Sequence, residues 1–441
     1  MRTVEPISAG PRPGRVEIAL AALTLFLFAE AFLPKLLAPG ADMAAGEDES
    51  AFLRYLWLPF YALIGLGLVV RGRTALRAIV RSPLLMLLAA GAIVSALWSI
   101  NPETSLRRGI AVLATTLLGA YLAASYSWRD LLRLLGAVWL ALMGMSLISG
   151  IVAPGFAVMD EVHPGAWAGG WWEKNQLGGH AARAAFLMAF LAWRDGGARK
   201  LWAAGAAMSV VLVVLSTSVT SMLGALLGFG VLAAAWWTLR GKRHFLFLGW
   251  VGVVSVSALA LALAVAPAAV FGLIGRDPTL TGRTDIWDAL AGAISQKPWL
   301  GYGYGAFWGI DSEPRYWIQQ AVDWAAPSGH NGWLDLAIGL GLPAAGLFAV
   351  DVVLTLWRAA KLSTVSPAGV FALGALTQIL MFSLSESILL AQNSIIWATY
   401  AAISIKLALE PPVAAGAPVR SAVQSTSPAQ ATTRPSPAAV R

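Results

Sequence analysis

The 441-residue sequence contains no cysteine. Disulfides, thiolate metal ligands and cysteine nucleophiles are therefore excluded, and the redox compartment leaves no trace in the composition. Charge is scarce too. Asp, Glu, Lys and Arg make up 12% of the chain, against about 25% in soluble domains. Histidine occurs four times, and no spacing of His, Asp and Glu reads as a zinc site. Asp277, Asp285 and Asp288 could hold a divalent cation, but three acids spread over a loop is a weak signal. Gly301-Tyr302-Gly303-Tyr304-Gly305 only superficially resembles a phosphate-cradling loop, because no helix start of the required kind follows; Gly with Tyr more often marks a turn. No metal, no cofactor and no ATP site are expected.

What the chain does have is apolar length. Hydrophobic residues are 58% of it and the mean hydropathy is +0.69. A helix needs about 20 apolar residues to cross the hydrocarbon core. Runs of that kind fall near 16–34, 54–70, 83–99, 109–125, 132–152, 178–193, 201–216, 219–239, 245–273, 331–357, 368–385 and 389–409. The expected fold is an all-α polytopic membrane protein of about twelve transmembrane helices. The first run has the outline of a secretory signal, since Arg12 and Arg15 precede an apolar stretch ending Ala29-Glu30-Ala31. The charge pattern favours a retained anchor.

That pattern is alternation. Basic residues cluster at the N-terminus, at Arg71–Arg81, Arg129 and Arg133, Arg194–Lys200, Arg240–Arg243, Arg358 and Lys361, and beyond Lys406. Positive loops mark the cytoplasmic side, which puts both termini in the cytoplasm. The net charge of +8 is thus largely topology, and nucleic-acid binding drops out. Most of the 20 Trp suit interfacial belts. Residues 1–410 read as one membrane domain with a large periplasmic loop near 274–330, between spans 9 and 10. Residues 411–441, rich in Pro, Ala, Ser and Thr, read as a disordered cytoplasmic tail. Within the loop, Ile286, Trp287, Leu290, Ala293 and Ile294 share one helical face that Pro298 ends, suggesting an amphipathic helix on the outer surface.

Polar residues between membrane spans need a reason, because lipid supplies none. His330 follows Pro327-Ser328-Gly329 and opens the tenth span. The helix dipole disfavours imidazolium there, leaving a neutral ring able to accept a proton; the plain alternative is a histidine satisfied at the interface. Arg283 begins a helix, where acids belong. Its fork suits phosphate oxygens, while a salt bridge to Asp285 or Asp288 is the bland reading. Lys174, with Glu173 and Asn175, enters a span from an outer loop, and a lysine snorkelling beside Glu173 is the alternative. Arg183 lies two turns deeper, where a cation is costly unless it faces a polar cavity. Arg315, Arg107 and Arg108 are weaker candidates. Glu386 could orient a cation or cap a helix.

These residues sit in segments that resemble the O-antigen ligase-like (Wzy/WaaL-type) membrane superfamily. The segments are Trp98-Ser99 through Arg108, Lys174-Asn175-Gln176-Leu177-Gly178, Ser216 to Ser221, Gly282-Arg283-Thr284-Asp285-Ile286-Trp287, Pro298 to Gly303, and His330-Asn331-Gly332-Trp333-Leu334. Ser383-Leu384-Ser385-Glu386-Ser387 with Trp397 is similar to the exopolysaccharide (succinoglycan-type) polymerases. The resemblance implies a C-type glycosyltransferase scaffold and inverting, metal-independent transfer from an undecaprenyl-diphosphate-linked oligosaccharide donor to a glycan acceptor at the periplasmic face. It implies His330 as base or acceptor-positioning residue and Arg283 on the diphosphate. Lys174, Arg183, Arg315, Asn331 and Glu173 complete the expected substrate-binding set. Ligases of the superfamily carry Arg where this chain has Val219, so either Lys174, with Arg183, supplies the second cation or the donor sits differently. That departure favours polymerisation over ligation to lipid A core or another acceptor, with a flippase and a chain-length regulator as partners. A transporter is the remaining reading, disfavoured because the polar residues lie in loops and no inverted repeat is evident.

Overall fold

The computed structural model describes residues 13–37, 55–161, 163–238, 283–322 and 326–411. Among them the chain is helical, and the single β-bridge joins Val158 to Trp167. The long helices are α1 (Arg15–Leu27), α2 (Leu58–Arg71), α3 (Arg73–Val80), α4 (Pro83–Val94), α5 (Pro102–Ser125), α6 (Trp128–Val152), α7 (Lys174–Arg194), α8 (Arg199–Leu215) and α9 (Val219–Thr238). After the gap come α10 (Arg283–Gln296), α11 (Glu313–Val322), α12 (Gly332–Leu340), α13 (Leu342–Ser363), α14 (Pro367–Ser383) and α15 (Ile395–Leu409).

Five of the described helices are long and apolar enough to cross a membrane, and a sixth candidate is the pair Arg73–Val80 and Pro83–Leu97, bent by 84°. The chain is therefore a multi-pass membrane protein. Eleven of the expected spans coincide with helices, while the run at 245–273, the residues 274–282 that open the large loop, Asp277 and the tail beyond residue 411 lie outside the described residues.

Helix α7 fails the apolar test because it carries His180 and Arg183, yet it is among the most buried elements. It packs against α6, α8, α9 and α14. A helix walled off from lipid by its neighbours has no need of an apolar surface. At Gly178 the approach is closest: a Cβ there would meet the Ser216 and Ser221 hydroxyls at 2.6 and 2.4 Å. The Ser216–Ser221 segment is thus a packing surface for α7, its hydroxyls tied to one another and to the Val213 carbonyl.

Two expectations are corrected. The span at 331–357 is two helices, α12 and α13, broken at Gly341, whose φ of +83° ends the first and begins the second. A Cβ at Gly341 would lie 2.2 Å from the Trp299 carbonyl oxygen, so the break is where the loop crosses the helix. The second correction concerns α10. Its apolar face does not lie on a lipid surface. Ile286, Leu290 and Ile294 pack with Tyr302, Phe307, Ile318 and Ile338 into a small core separate from the main one. The described part of the loop is a folded cap.

Backbone bonds strap this cap to the helices. Tyr302 N–H donates to Ile338 O (2.9 Å), Gly303 N–H to Gly339 O (3.0 Å), Leu342 N–H to Pro298 O (2.7 Å) and Ile100 N–H to Tyr302 O (3.0 Å). Gly301, Gly303 and Gly305 all have positive φ. Their repeat is the mechanical strap itself, a chain of turns in which a side chain would meet the backbone of α12 at Gly301, the Ser99 hydroxyl at Gly303 and the Arg108 side chain at Gly305.

Candidate active site

Three segments converge where the cap meets the bundle. The first turn of α10 brings Arg283, the turn before α12 brings His330, and the loop between α14 and α15 brings Glu386. The Glu386 carboxylate sits between the other two. Its Oε1 is 3.5 Å from Arg283 Nη2 and its Oε2 is 3.8 Å from His330 Nδ1. All three side chains are partly exposed, at 18–22%, while both ring nitrogens of His330 are themselves buried. Arg283 pairs with Glu386, 103 positions away, rather than with Asp285 or Asp288.

Local structure fixes His330. Asn331 is the N-cap of α12, its Oδ1 accepting from Trp333 N–H (3.0 Å) and Leu334 N–H (3.3 Å). That cap aligns the helix and leaves His330 in the left-handed region at φ +45°, a backbone state that costs about 1–3 kcal/mol and collects at functional sites. Asp335 braces the same turn. Its Oδ1 accepts from Trp308 Nε1 (2.8 Å) and Gly329 N–H (3.1 Å), and its Oδ2 accepts from the Ser387 hydroxyl. Trp287 Nε1 donates to the Gly329 carbonyl (2.9 Å). The cap, α12 and the Glu386 loop are thereby locked around one histidine.

Helix α7 supplies the fourth side. Glu173 is its N-cap, held by a reciprocal bond with Gln176. Burial pushes the Glu173 carboxyl up from its ordinary value, with the Glu386 carboxylate adding to the shift and the positive charges of Lys174 and Lys35 opposing it. Lys174 is buried beside it. Deeper in, the Arg183 guanidinium lies 4.2 Å over the Phe382 ring and within electrostatic reach of Glu386. Among the described residues its Nε and Nη2 meet no acceptor.

Two expected site residues have other work. Arg315 is buried in α11 and donates to the Trp308 carbonyl (3.3 Å); it braces the cap, one link behind Asp335. Asn331 acts on its helix. His180 is structural as well, stacked on Trp171 at 4.6 Å and accepting from Trp139 Nε1 at 3.3 Å.

Sequence reading missed Lys35. Its Nζ donates to the Trp171 carbonyl (2.9 Å), sits 4.7 Å above Phe156 and faces Glu173. The only signal was a lone cation just past the first apolar run. The role of Asp335 was hidden too, since an acid in a first helical turn has a sufficient local explanation.

The O-antigen ligase family matches residues 203–349 of this chain, a segment that contains both Arg283 and His330. A curated relative, the exopolysaccharide production protein ExoQ of Rhizobium meliloti (strain 1021), is 28% identical over 356 residues, covering 78% of this chain and 76% of the relative. The chain is similar to O-antigen ligases over that segment and to ExoQ over most of its length. Its similarity to ExoQ extends the likeness beyond the matched segment.

Proposed function

We propose that the chain polymerises undecaprenyl-diphosphate-linked oligosaccharide units into a surface polysaccharide at the periplasmic face of the inner membrane. In this reading about twelve spans place both termini in the cytoplasm and the cap in the periplasm. The observation that carries it is one carboxylate, Glu386, held within 4 Å of both an arginine and a histidine from separate elements.

The chemistry follows from the parts. With Glu386 facing its Nδ1, His330 takes the proton of an acceptor hydroxyl. The hydroxyl oxygen attacks the anomeric carbon of the donor and inverts it. The bond from that carbon to the diphosphate oxygen breaks, and its electron pair leaves with the lipid diphosphate. Arg283, Lys174 and Arg183 receive the departing charge, and fixed cations in a water-poor site stabilise it without reorganising. Activation resides in the donor, so the reaction needs neither ATP nor a metal. Glu173 and Lys35 set the charge at the mouth, and Asn331 positions His330. A flippase delivering the donor and a chain-length regulator are the partners this reaction would need.

Similarity to an exopolysaccharide production protein supports polymerisation; the match to O-antigen ligases keeps transfer to lipid A core or another acceptor as the second reading. The test is transfer by purified His330→Ala and Arg283→Ala proteins supplied with lipid-diphosphate-linked units. The loss expected for a missing base is about 10²–10⁴-fold, with unchanged expression and melting. Wild-type polymer from either folded variant would refute the assignment.

A further inference from the structure

A cleft of about 300 Å³ opens between the start of α2 and the first turns of α5 and is closed by the loop that carries Glu386. Its polar lining includes Tyr61, Glu103, Arg107, Gln392 and Asn393, with Trp57 as an aromatic wall. The transfer mechanism uses none of them. Leu106 and Ile110, both exposed, form the edge that faces outward.

We propose that this cleft binds sugar units of the glycan away from the bond being made. The inference rests on the glycan-transfer reading and adds a site to it. The lining decides the ligand class. Sugar hydroxyls both donate and accept, and the cleft offers both: amides at Gln392 and Asn393, a guanidinium at Arg107, a carboxylate at Glu103. A phosphate headgroup is acceptor-only at neutral pH: it would suit Arg107 and Arg108 but leave the Glu103 carboxylate and the amide oxygens of Gln392 and Asn393 unmatched, while a hydrocarbon chain gains nothing from two amides. Trp57 and Tyr61 supply the flat apolar surface that suits a sugar's C–H face.

The cleft is preformed and tied to the active site. Tyr61 Oη donates to Asn393 Oδ1 (2.6 Å), and Asn393 N–H donates to Thr115 Oγ1 (2.9 Å). The Tyr304 hydroxyl donates to the Leu390 carbonyl. Arg108 Nη1 holds the Gly305 carbonyl at 2.8 Å, joining the cleft wall to the strap of the cap. Glu386 and Gln392 are six positions apart on one tethered loop, so their Cα atoms lie within about 20 Å of each other. One oligosaccharide can touch both.

The experiment uses full-length protein in phosphatidylethanolamine nanodiscs. The probe is oligosaccharide released by mild acid from the exopolysaccharide of cells expressing the chain, with binding read by calorimetry. Gln392→Ala and Glu103→Gln should each raise Kd about 3- to 10-fold, the loss expected for one hydrogen bond. Ile110→Trp, which fills the cleft from its edge, should abolish binding, and polymer made by each variant should be shorter. His330→Ala should bind the probe as the wild type does. If His330→Ala still transfers, the catalytic reading fails and the cleft stands. The cleft proposal is overturned if the wild type binds no probe or if all three variants, melting normally, bind it unchanged. Displacement of the probe by phosphatidylglycerol vesicles would also overturn it, in favour of a lipid headgroup.

Discussion

Arg183 shows how membrane burial separates stability from function. A guanidinium buried beside an aromatic ring, with two nitrogens lacking acceptors among the described residues, loses hydration that those residues replace only in part, a cost of several kcal/mol in ordinary proteins. Selection for stability alone would have put a methionine there. Arg183→Met is therefore expected to raise the melting temperature of the purified protein and to lower the rate of transfer at least tenfold, the loss of one charge-assisted contact of about 1.5–3 kcal/mol. A variant that melts lower and transfers normally would make Arg183 a structural residue. At this scale the sequence singled out polar residues that the structure brings close together, Arg283 and His330 on either side of Glu386. It was uninformative about their partners: Arg283 was weighed against Asp285 and Asp288, a few positions away, and pairs with Glu386.

The elements were legible because hydropathy and caps are local. Pro at the start of α4, α5, α13 and α14, with side-chain caps from Asn101, Ser127 and Ser366, marks helix starts that hydropathy alone left blurred. The α12–α13 break escaped because Gly341 sits inside an uninterrupted apolar run, and its reason is a carbonyl from another segment. Gly341→Ala combines an unfavourable φ with that overlap, so a loss of more than about 1–3 kcal/mol is expected. Its checks are the yield of folded protein on size-exclusion chromatography and the melting temperature. Near-wild-type melting would mean the strap moves aside. A second element-level device ties α6 to the α7–α8 turn. Asp195 accepts from Arg133 Nε and Nη2 at 2.7 and 2.6 Å and from Trp202 Nε1 at 3.1 Å. The hydrogen-bonded Arg133 guanidinium holds the Asp195 carboxyl well below the usual carboxylate range. A depressed folded value means the ion stabilises above the unfolded carboxylate pKa of about 3.9 and loses that effect as pH falls further. The melting difference between wild type and Asp195→Asn should hold steady from pH 8 to about pH 5 and shrink below pH 4. A difference that grows toward acid would contradict the assignment.

For the whole molecule the first issue is sidedness. The absence of cysteine makes single-cysteine probes free of background. Ile310, exposed on the cap, and Lys200, exposed at the start of α8, sit on opposite sides in the proposed topology. Ile310→Cys should react with a membrane-impermeant maleimide on intact spheroplasts and Lys200→Cys only after lysis; the reverse would invert the molecule and remove the periplasmic reading. The amino-acid sequence by itself determined that this chain lives in a membrane and that its helices fall where they do, and it singled out His330 and Arg283 as the residues on which the proposed function rests. Those properties are written in hydropathy, charge alternation and short polar segments, all of which act over a few turns of chain. Tertiary structure alone decided that Glu386 joins them, that Asp335 and Lys35 stand beside them, that Arg315 and Asn331 act as braces, and that the outer loop folds into a cap with its own core. Contacts between residues about a hundred positions apart depend on how helices pack, and no local pattern encodes that.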